Sequence, residues 1–306
     1  MSTIALLFPG QGAQQVGMGK DFAAQDPSAR ALYDQAAQVL GYDLAALSFE
    51  GPIEKLTVSA HAQPGIFVAS VAAYNALKNK FPALAPRALA GLSSGEWTAL
   101  HVAGVLSFEQ TLKVLEARGR LMQAACEQRP GSMVSVIGAT DEQLQALCAA
   151  TGAEMANLNS RDQTVLSGPR EAIDAVEVKA KELGIRKAIR LNVAGAFHST
   201  LMKPAADQFA DFLQSIPFAS PNCTVVANVS GAPHAADGAA IRDAMIRQVY
   251  SSVRWYQGIE WMQAQGVTTY LECGPGKVLS GLVKRIDKNA ATHSIQELSG
   301  LEALAL

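Results

Sequence analysis

Short apolar runs alternate along the chain with longer helical ones, and two of the short runs stop abruptly in turn residues. Thr3–Phe8 ends at Pro9-Gly10, and Arg87–Leu92 runs into Gly91-Leu92-Ser93-Ser94-Gly95. A short apolar run bounded by turn signals reads as a buried strand. Helical periodicity fills the intervals at Ser28–Leu40, Pro64–Phe81, Ser94–Ala103 and Phe108–Gln128. Strands alternating with helices imply a parallel sheet with helices on its faces.

The pattern changes between residues 131 and 193. Ser132–Gly138 reads as strand, Asp141–Ala150 as helix, Glu154–Asn159 and Gln163–Ser167 as strands, Arg170–Leu183 as helix and Arg186–Val193 as strand. The order βαββαβ is the split, ferredoxin-like pattern. The expected architecture is therefore α/β, with a parallel-sheet body formed by residues 1–130 and 194–306. A ferredoxin-like subdomain, residues 131–193, is inserted into it. The body resumes with the helix Ser199–Ile216, the strand Cys223–Asn228, the helix Gly238–Tyr250 and the strand Thr268–Glu272, which leads into Gly274-Pro275-Gly276.

Composition narrows the class. With 306 residues, 17% charged and a net charge of −2, the chain lacks the high net charge of a disordered segment. It also lacks the basic excess of a dedicated duplex DNA binder. No apolar run approaches a membrane span, and no basic residue precedes the short apolar start, so no signal peptide is expected. Cys126, Cys148, Cys223 and Cys273 are scattered without a CxxC pair, which argues against a disulfide framework or a zinc site. A cytoplasmic location is the expectation, and the sequons at Asn222 and Asn228 carry no meaning there.

The sharpest local signal is Gly91-Leu92-Ser93-Ser94-Gly95, a G-x-S-x-G between an expected strand and an expected helix. That context makes Ser93 the exposed serine of a nucleophile elbow, with a helix N-terminus aimed at any oxyanion formed beside it. A serine nucleophile requires a base. Of His61, His101, His198, His234 and His293, His198 stands out, because it follows the loop Ala194–Phe197 and opens a helix, which favours neutral imidazole. A helix-capping or packed histidine is the other reading. His234 lies in a polar loop and is expected to be solvated; His101 is expected to pack on the elbow helix. No aspartate is placed to complete a triad. Arg118 interrupts the apolar stripe Leu115, Leu121, Met122. It either snorkels along its helix or offers a fork for a carboxylate. Gly10-Gln11-Gly12 lacks the third glycine of a dinucleotide fingerprint, and Gly274-Pro275-Gly276-Lys277 lacks the spacing of a phosphate loop.

Taken in order, these segments resemble one family. They are Phe8–Gln14, Gln63-Pro64, the elbow with Glu96 behind it, Arg118–Gln123, Asn157–Ser160, Ala196-Phe197-His198-Ser199 and Glu272–Lys277. The set is similar to that of the malonyl-CoA:acyl carrier protein transacylases of fatty-acid and polyketide synthesis, over nearly the whole chain. The resemblance implies an α/β-hydrolase-like body with a ferredoxin-like subdomain. It implies Ser93 as nucleophile and His198 as base, with main-chain carbonyls around Gln248–Tyr250 holding the histidine in place of an aspartate. It implies oxyanion donors at the main-chain N–H groups of Gln11 and Ser94, and Arg118 as partner of the malonyl carboxylate. Gln63, Phe197 and Gln248 take supporting positions, Phe197 being of the malonyl-selective type. The implied substrates are malonyl-CoA and the phosphopantetheine thiol of holo-acyl carrier protein, with no metal or other cofactor.

Three positions depart from the family pattern. Leu92 stands for histidine, Ser94 for leucine and Arg161 for proline. The side chain at 92 is expected to point away from the acyl group, leaving the reaction unchanged. A carrier of acidic character is expected to meet a basic surface drawn from Lys187, Arg190, Lys277, Lys284 and Arg285. Other readings are a loader for a polyketide synthase or a malonate decarboxylase system, a serine esterase, and a docking module with a decayed site.

Overall fold

A computed structural model describes residues 3–305. Among these described residues ten strands form two sheets: β1 Ile4–Phe8, β2 Ala88–Gly91, β3 Gly131–Ile137, β4 Glu154–Ser160, β5 Gln163–Pro169, β6 Lys187–Arg190, β7 Val225–Ala227, β8 Ala232–Pro233, β9 Thr269–Cys273 and β10 Ala291–Ile295. The larger sheet has the order β10-β9-β1-β2-β7-β8. Its first five strands run parallel, with Leu6 beside Leu89 and Leu271, and β8 turns back antiparallel on β7. Every residue of β1 is buried. Ile4, Leu6 and Phe8 join one core on one face of the sheet, and Ala5 and Leu7 join a second core on the other. A parallel sheet covered on both faces requires this continuous apolarity.

The smaller sheet is antiparallel with the order β4-β5-β3-β6. Its two helices, Asp141–Thr151 and Arg170–Glu182, close a separate core around Val134, Leu147, Leu166 and Ile173. This is the ferredoxin-like arrangement expected of βαββαβ. The last strand is shorter than expected: Lys187–Arg190 rather than Arg186–Val193, because it is the sheet edge and lies mostly exposed. Arg161, at the β4–β5 turn, pairs with Glu260 and lies over the Tyr256 ring, tying the small sheet to the helix Trp255–Ala264.

Several body elements depart from expectation. The helix expected to start at Pro64 starts at Ser59 and runs to Lys80. Burial of Ser59, Ala62 and Gln63 outweighs the preference for proline in the first turn. The segment after His198 is a short 3-10 turn, Thr200–Met202, before the helix Lys203–Leu213. Helices Lys20–Gln25, Leu44–Glu50, Trp255–Ala264 and Val278–Ile286, and strand β10, were not legible. Most are about two turns long and too short to establish a period. Among the described residues no helix is long and apolar enough to cross a membrane.

Candidate active site

Three adjacent parallel strands deliver the site from their carboxyl ends, where an open α/β sheet places its ligands. Gln11 follows β1, Ser93 follows β2 and Asn228 follows β7. The turn after β2 is tight. A Cβ on Gly91 would lie 2.0 Å from the Gly95 carbonyl carbon, and one on Gly95 would lie 2.1 Å from the Phe8 carbonyl oxygen. Only glycine permits so close a crossing, and Ser93 takes a left-handed φ of 54°. Such a conformation costs on the order of 1–3 kcal/mol and persists where surrounding contacts hold it. Asn228 does so: its Oδ1 accepts from Ser93 N–H at 2.7 Å and its Nδ2 donates to Gly91 O at 2.7 Å.

Ser93 Oγ lies 2.7 Å from His198 Nε2. On the far side of the ring, Nδ1 lies 2.9 Å from the carbonyl oxygen of Gln248. A carbonyl can only accept, so Nδ1 carries the proton and Nε2 is left free to accept from the serine. No carboxylate among the described residues hydrogen-bonds to the ring. His198 itself has a φ of 57°. Burial first, and the Arg118 charge second, lower its pKa to about 4, against the opposing hydrogen bonds to the carbonyls of Gln248 and Ser251. Neutrality thus comes from burial and a neighbouring cation, not from the helix terminus expected.

Arg118 is turned inward and only 1% exposed. Nη1 donates to Gln63 Oε1 at 2.9 Å, and Nη2 donates to Gln248 Oε1 at 2.9 Å and to Ser93 Oγ at 3.2 Å. Among the described residues its Nε has no partner. Burial lowers its pKa to about 10, against the Glu96 charge, which raises it; it is a cation at neutral pH. Two neutral amides replace water around the guanidinium but leave its charge unpaired, so an anion arriving beside Ser93 would meet a desolvated cation. Helix crossing sets the position of Arg118. A Cβ on Gly119 would fall 2.4 Å from Ser59 O, so glycine there lets Phe108–Gln128 approach Ser59–Lys80 closely enough for Arg118 to reach Gln63.

Gln63 Nε2 also donates to Gln11 Oε1 at 3.1 Å, and Gln11 Nε2 to Ser59 Oγ at 2.9 Å. The Gln11 main-chain N–H donates to Ser94 Oγ at 3.0 Å. Phe197 is half-buried where the two sheets' cores meet. Leu92 packs into the core on the far face of the large sheet, as its expected direction requires. Beside His198 a cavity of about 330 Å³ opens between Glu154 and Met155 of the small sheet and Arg247, Tyr250 and Arg254 of the body.

Ser93, His198, Arg118, Gln63, Gln248, Gln11 and Ser94 are therefore brought into one connected network. His234 departs from expectation. Its side chain is 2% exposed, with Nε2 2.7 Å from Glu96 Oε1, because its own N–H bonds to Val225 O at the sheet edge and turns the ring inward. His101 packs against Phe67 and Phe108, and His61 lies at the surface beside Tyr42. Asn228 carried no signal beyond a sequon, and nothing local marked His234. Of the expected basic surface, Arg190 is paired with Asp174 and Glu177, while Lys187, Lys277, Lys284 and Arg285 are exposed.

Comparison with known proteins places this geometry. The acyl transferase domain family matches residues 5–301. The chain is 40% identical over 308 residues to the malonyl CoA-acyl carrier protein transacylase of Haemophilus influenzae, covering 99% of this chain and 98% of that one. It superposes on the crystal structure of an acyl carrier protein S-malonyltransferase from Vibrio cholerae with a TM-score of 0.94 at 40% identity, over 99% and 100% of the two chains. A malonyl-transacylase solved in complex with its type II PKS acyl-carrier protein matches with a TM-score of 0.94 at 38% identity, over 98% of each chain.

Proposed function

The chain belongs to the acyl transferase domain family, and from that premise we propose that it moves malonyl from malonyl-CoA to the phosphopantetheine thiol of holo-acyl carrier protein. The observation that carries the reading is the meeting of a neutral His198 and the buried cation Arg118 on one atom, each within hydrogen-bond reach of Ser93 Oγ. Body residues 1–130 and 194–306 supply all three groups. The subdomain, residues 131–193, supplies Glu154 and Met155 to one wall of the cavity.

Ser93 gives its proton to His198 Nε2 as Oγ bonds to the thioester carbon. The oxyanion is received by the main-chain N–H groups of Gln11 and Ser94, donors of a kind worth roughly 3–4 kcal/mol each in acyl transfer. The C–S bond then breaks, His198 returns its proton to the departing sulfur, and malonyl remains as an ester on Ser93. The carrier's thiol repeats the sequence: its proton passes to His198, its sulfur takes the acyl carbon, and the proton returns to Ser93. Arg118 meets the malonyl carboxylate throughout. Every proton begins and ends on a side chain or a thiol, no electron changes hands, and the two main-chain amides receive the oxyanion, so the sequence as written calls on no metal or redox group. The four cysteines stand unpaired, which supports a cytoplasmic setting.

We assign the product to fatty-acid synthesis. Supply of a polyketide carrier is the second reading, favoured by the fold match to a transacylase bound to a type II PKS carrier. The test is intact mass after mixing with malonyl-CoA. One malonyl on Ser93, discharged to holo-carrier, is the expected result; release as free malonate would make the protein an esterase, and no adduct would mean a decayed site. Rates with carriers of the two pathways separate the two supply readings.

A further inference from the structure

Behind the elbow lies a buried carboxylate whose second partner takes no part in the reaction described above. Glu96 is 1% exposed, and among the described residues no lysine or arginine pairs with it. Oε1 accepts from His234 Nε2 at 2.7 Å and from Asn228 N–H at 3.2 Å; Oε2 accepts from Gln248 Nε2 at 2.6 Å. Asn228 N–H and Gln248 Nε2 can only donate, so each oxygen serves as an acceptor, and His234 Nε2 meets Oε1 as the N–H donor that this role calls for. A buried carboxylate persists in that role only where donors replace the water it has lost. His234 is the one such donor that neither belongs to the main chain nor contacts Ser93, His198 or Arg118. Its backbone is pinned to β7 through Val225 O.

The consequence runs through Gln248. An amide can sit either way round, and its partners decide which. Because Glu96 Oε2 accepts, the Gln248 nitrogen faces it, and the second N–H reaches Ser93 O at 2.9 Å. Oε1 is thereby left for Arg118 Nη2. The reverse orientation would set an NH₂ against the guanidinium, two donors facing each other. The main-chain carbonyl of the same residue holds His198 Nδ1. One glutamine thus orients both the base and the cation, and Glu96 Oε2, Ser93 O and Arg118 Nη2 together fix how it lies.

We propose that His234 is a positioning residue for acyl transfer: through Glu96 and Gln248 it aims the Arg118 fork and so sets the preference for a carboxylate-bearing acyl group. This rests on the malonyl-transfer reading. His234 touches no reacting atom, and packing alone would not require a donor at Nε2. A glutamine at 234 can bring an N–H to that place, whereas a leucine has none and an asparagine is too short.

The test measures kcat and KM for loading from malonyl-CoA and acetyl-CoA, together with Tm, in the wild type and in H234Q, H234L and H234N. A misaligned group remote from the chemistry can cost up to about a hundredfold. H234L and H234N are expected to lose about ten- to hundredfold in malonyl kcat/KM, with a raised KM and a malonyl-to-acetyl preference reduced at least about fivefold. H234Q is expected to keep the wild-type preference. Should H234L not fold, H234N against H234Q decides. Equal losses on both thioesters, or a preference unchanged in H234N, would make His234 a packing residue. A wild type that loads malonyl while the variants keep its preference overturns this inference alone. A wild type that loads none overturns the transfer reading and this inference with it.

Discussion

The main-chain N–H of Gln11 donates to the Ser94 hydroxyl at 3.0 Å, so an amide assigned to the oxyanion already has a side-chain partner. The Ser94 hydroxyl therefore stands as a competing acceptor beside that donor. For the oxyanion to bind, this hydrogen bond must break, and a neutral one contributes about 0.5–1.5 kcal/mol. Ser94→Ala is expected to raise the rate of acylation about two- to tenfold, measured by rapid-quench loading from malonyl-CoA. Ser93→Ala is expected to abolish the adduct. A slower Ser94 variant would mean that the hydroxyl assists the oxyanion.

Arg118 holds two relationships at once, to the two buried amides and to Ser93 Oγ. Charge-assisted hydrogen bonds contribute about 1.5–3 kcal/mol each, and two of them to a malonyl carboxylate give a preference of roughly 10²- to 10⁴-fold. Arg118→Ala is expected to lose malonyl use by that order. Acetyl use should fall only by what the contact to Ser93 supplies, about tenfold. Arg118→Lys should recover little, since a point charge cannot replace the fork. The check is kcat/KM for both thioesters, and equal losses would make the arginine structural.

The pH dependence follows from His198. A base must be neutral to act, and burial lowers its pKa to about 4, against an ordinary value near 6.5. Loading kcat/KM should therefore hold level down through pH 6.5 and fall only as pH approaches about 4. The same shift affects stability with a definite sign. Between those two values the unfolded chain binds the proton and the folded chain does not, so this group's contribution is full above about 6.5 and declines toward pH 4. Kinetics and Tm across that range check both. An acid limb near 6.5 would mean that the ring is solvated during turnover.

Asn228 grips the elbow at both Gly91 and Ser93. Asn228→Ala leaves a buried N–H and a buried carbonyl unpaired, about 1–3 kcal/mol for each. Urea unfolding should show an unfolding free energy lowered by that order, with a correspondingly earlier midpoint. Malonyl and acetyl loading should decline together, because the elbow and not the acyl pocket has moved.

Gly119→Ala is expected to part the two helices that cross at Ser59 O. Overpacking of this kind costs about 1–3 kcal/mol. A raised KM for malonyl-CoA should accompany the lower Tm, because Arg118 would be drawn away from Gln63. A variant with a lowered Tm and an unchanged KM would separate the crossing from the aim of the arginine.

Much of this was legible in the chain before any fold was drawn. The period of apolar residues marked the parallel sheet and the βαββαβ insertion, because burial on two faces and on one face leaves different patterns. G-x-S-x-G marked Ser93, since only glycines tolerate the crossing at Phe8 and Gly95. An arginine inside an apolar stripe marked Arg118. Local rules misplaced the start of the helix through Gln63 and the cause of His198 neutrality, both of which burial decided. They read His234 as solvated, because an Ala/Pro-rich loop has no period to show which side faces in. Distances across 155 residues, from Gln248 to Ser93, or 138, from His234 to Glu96, leave no trace in local spacing. The parallel strands bring their carboxyl ends together, and only that convergence decides which distant amide, carboxylate and imidazole share one buried network.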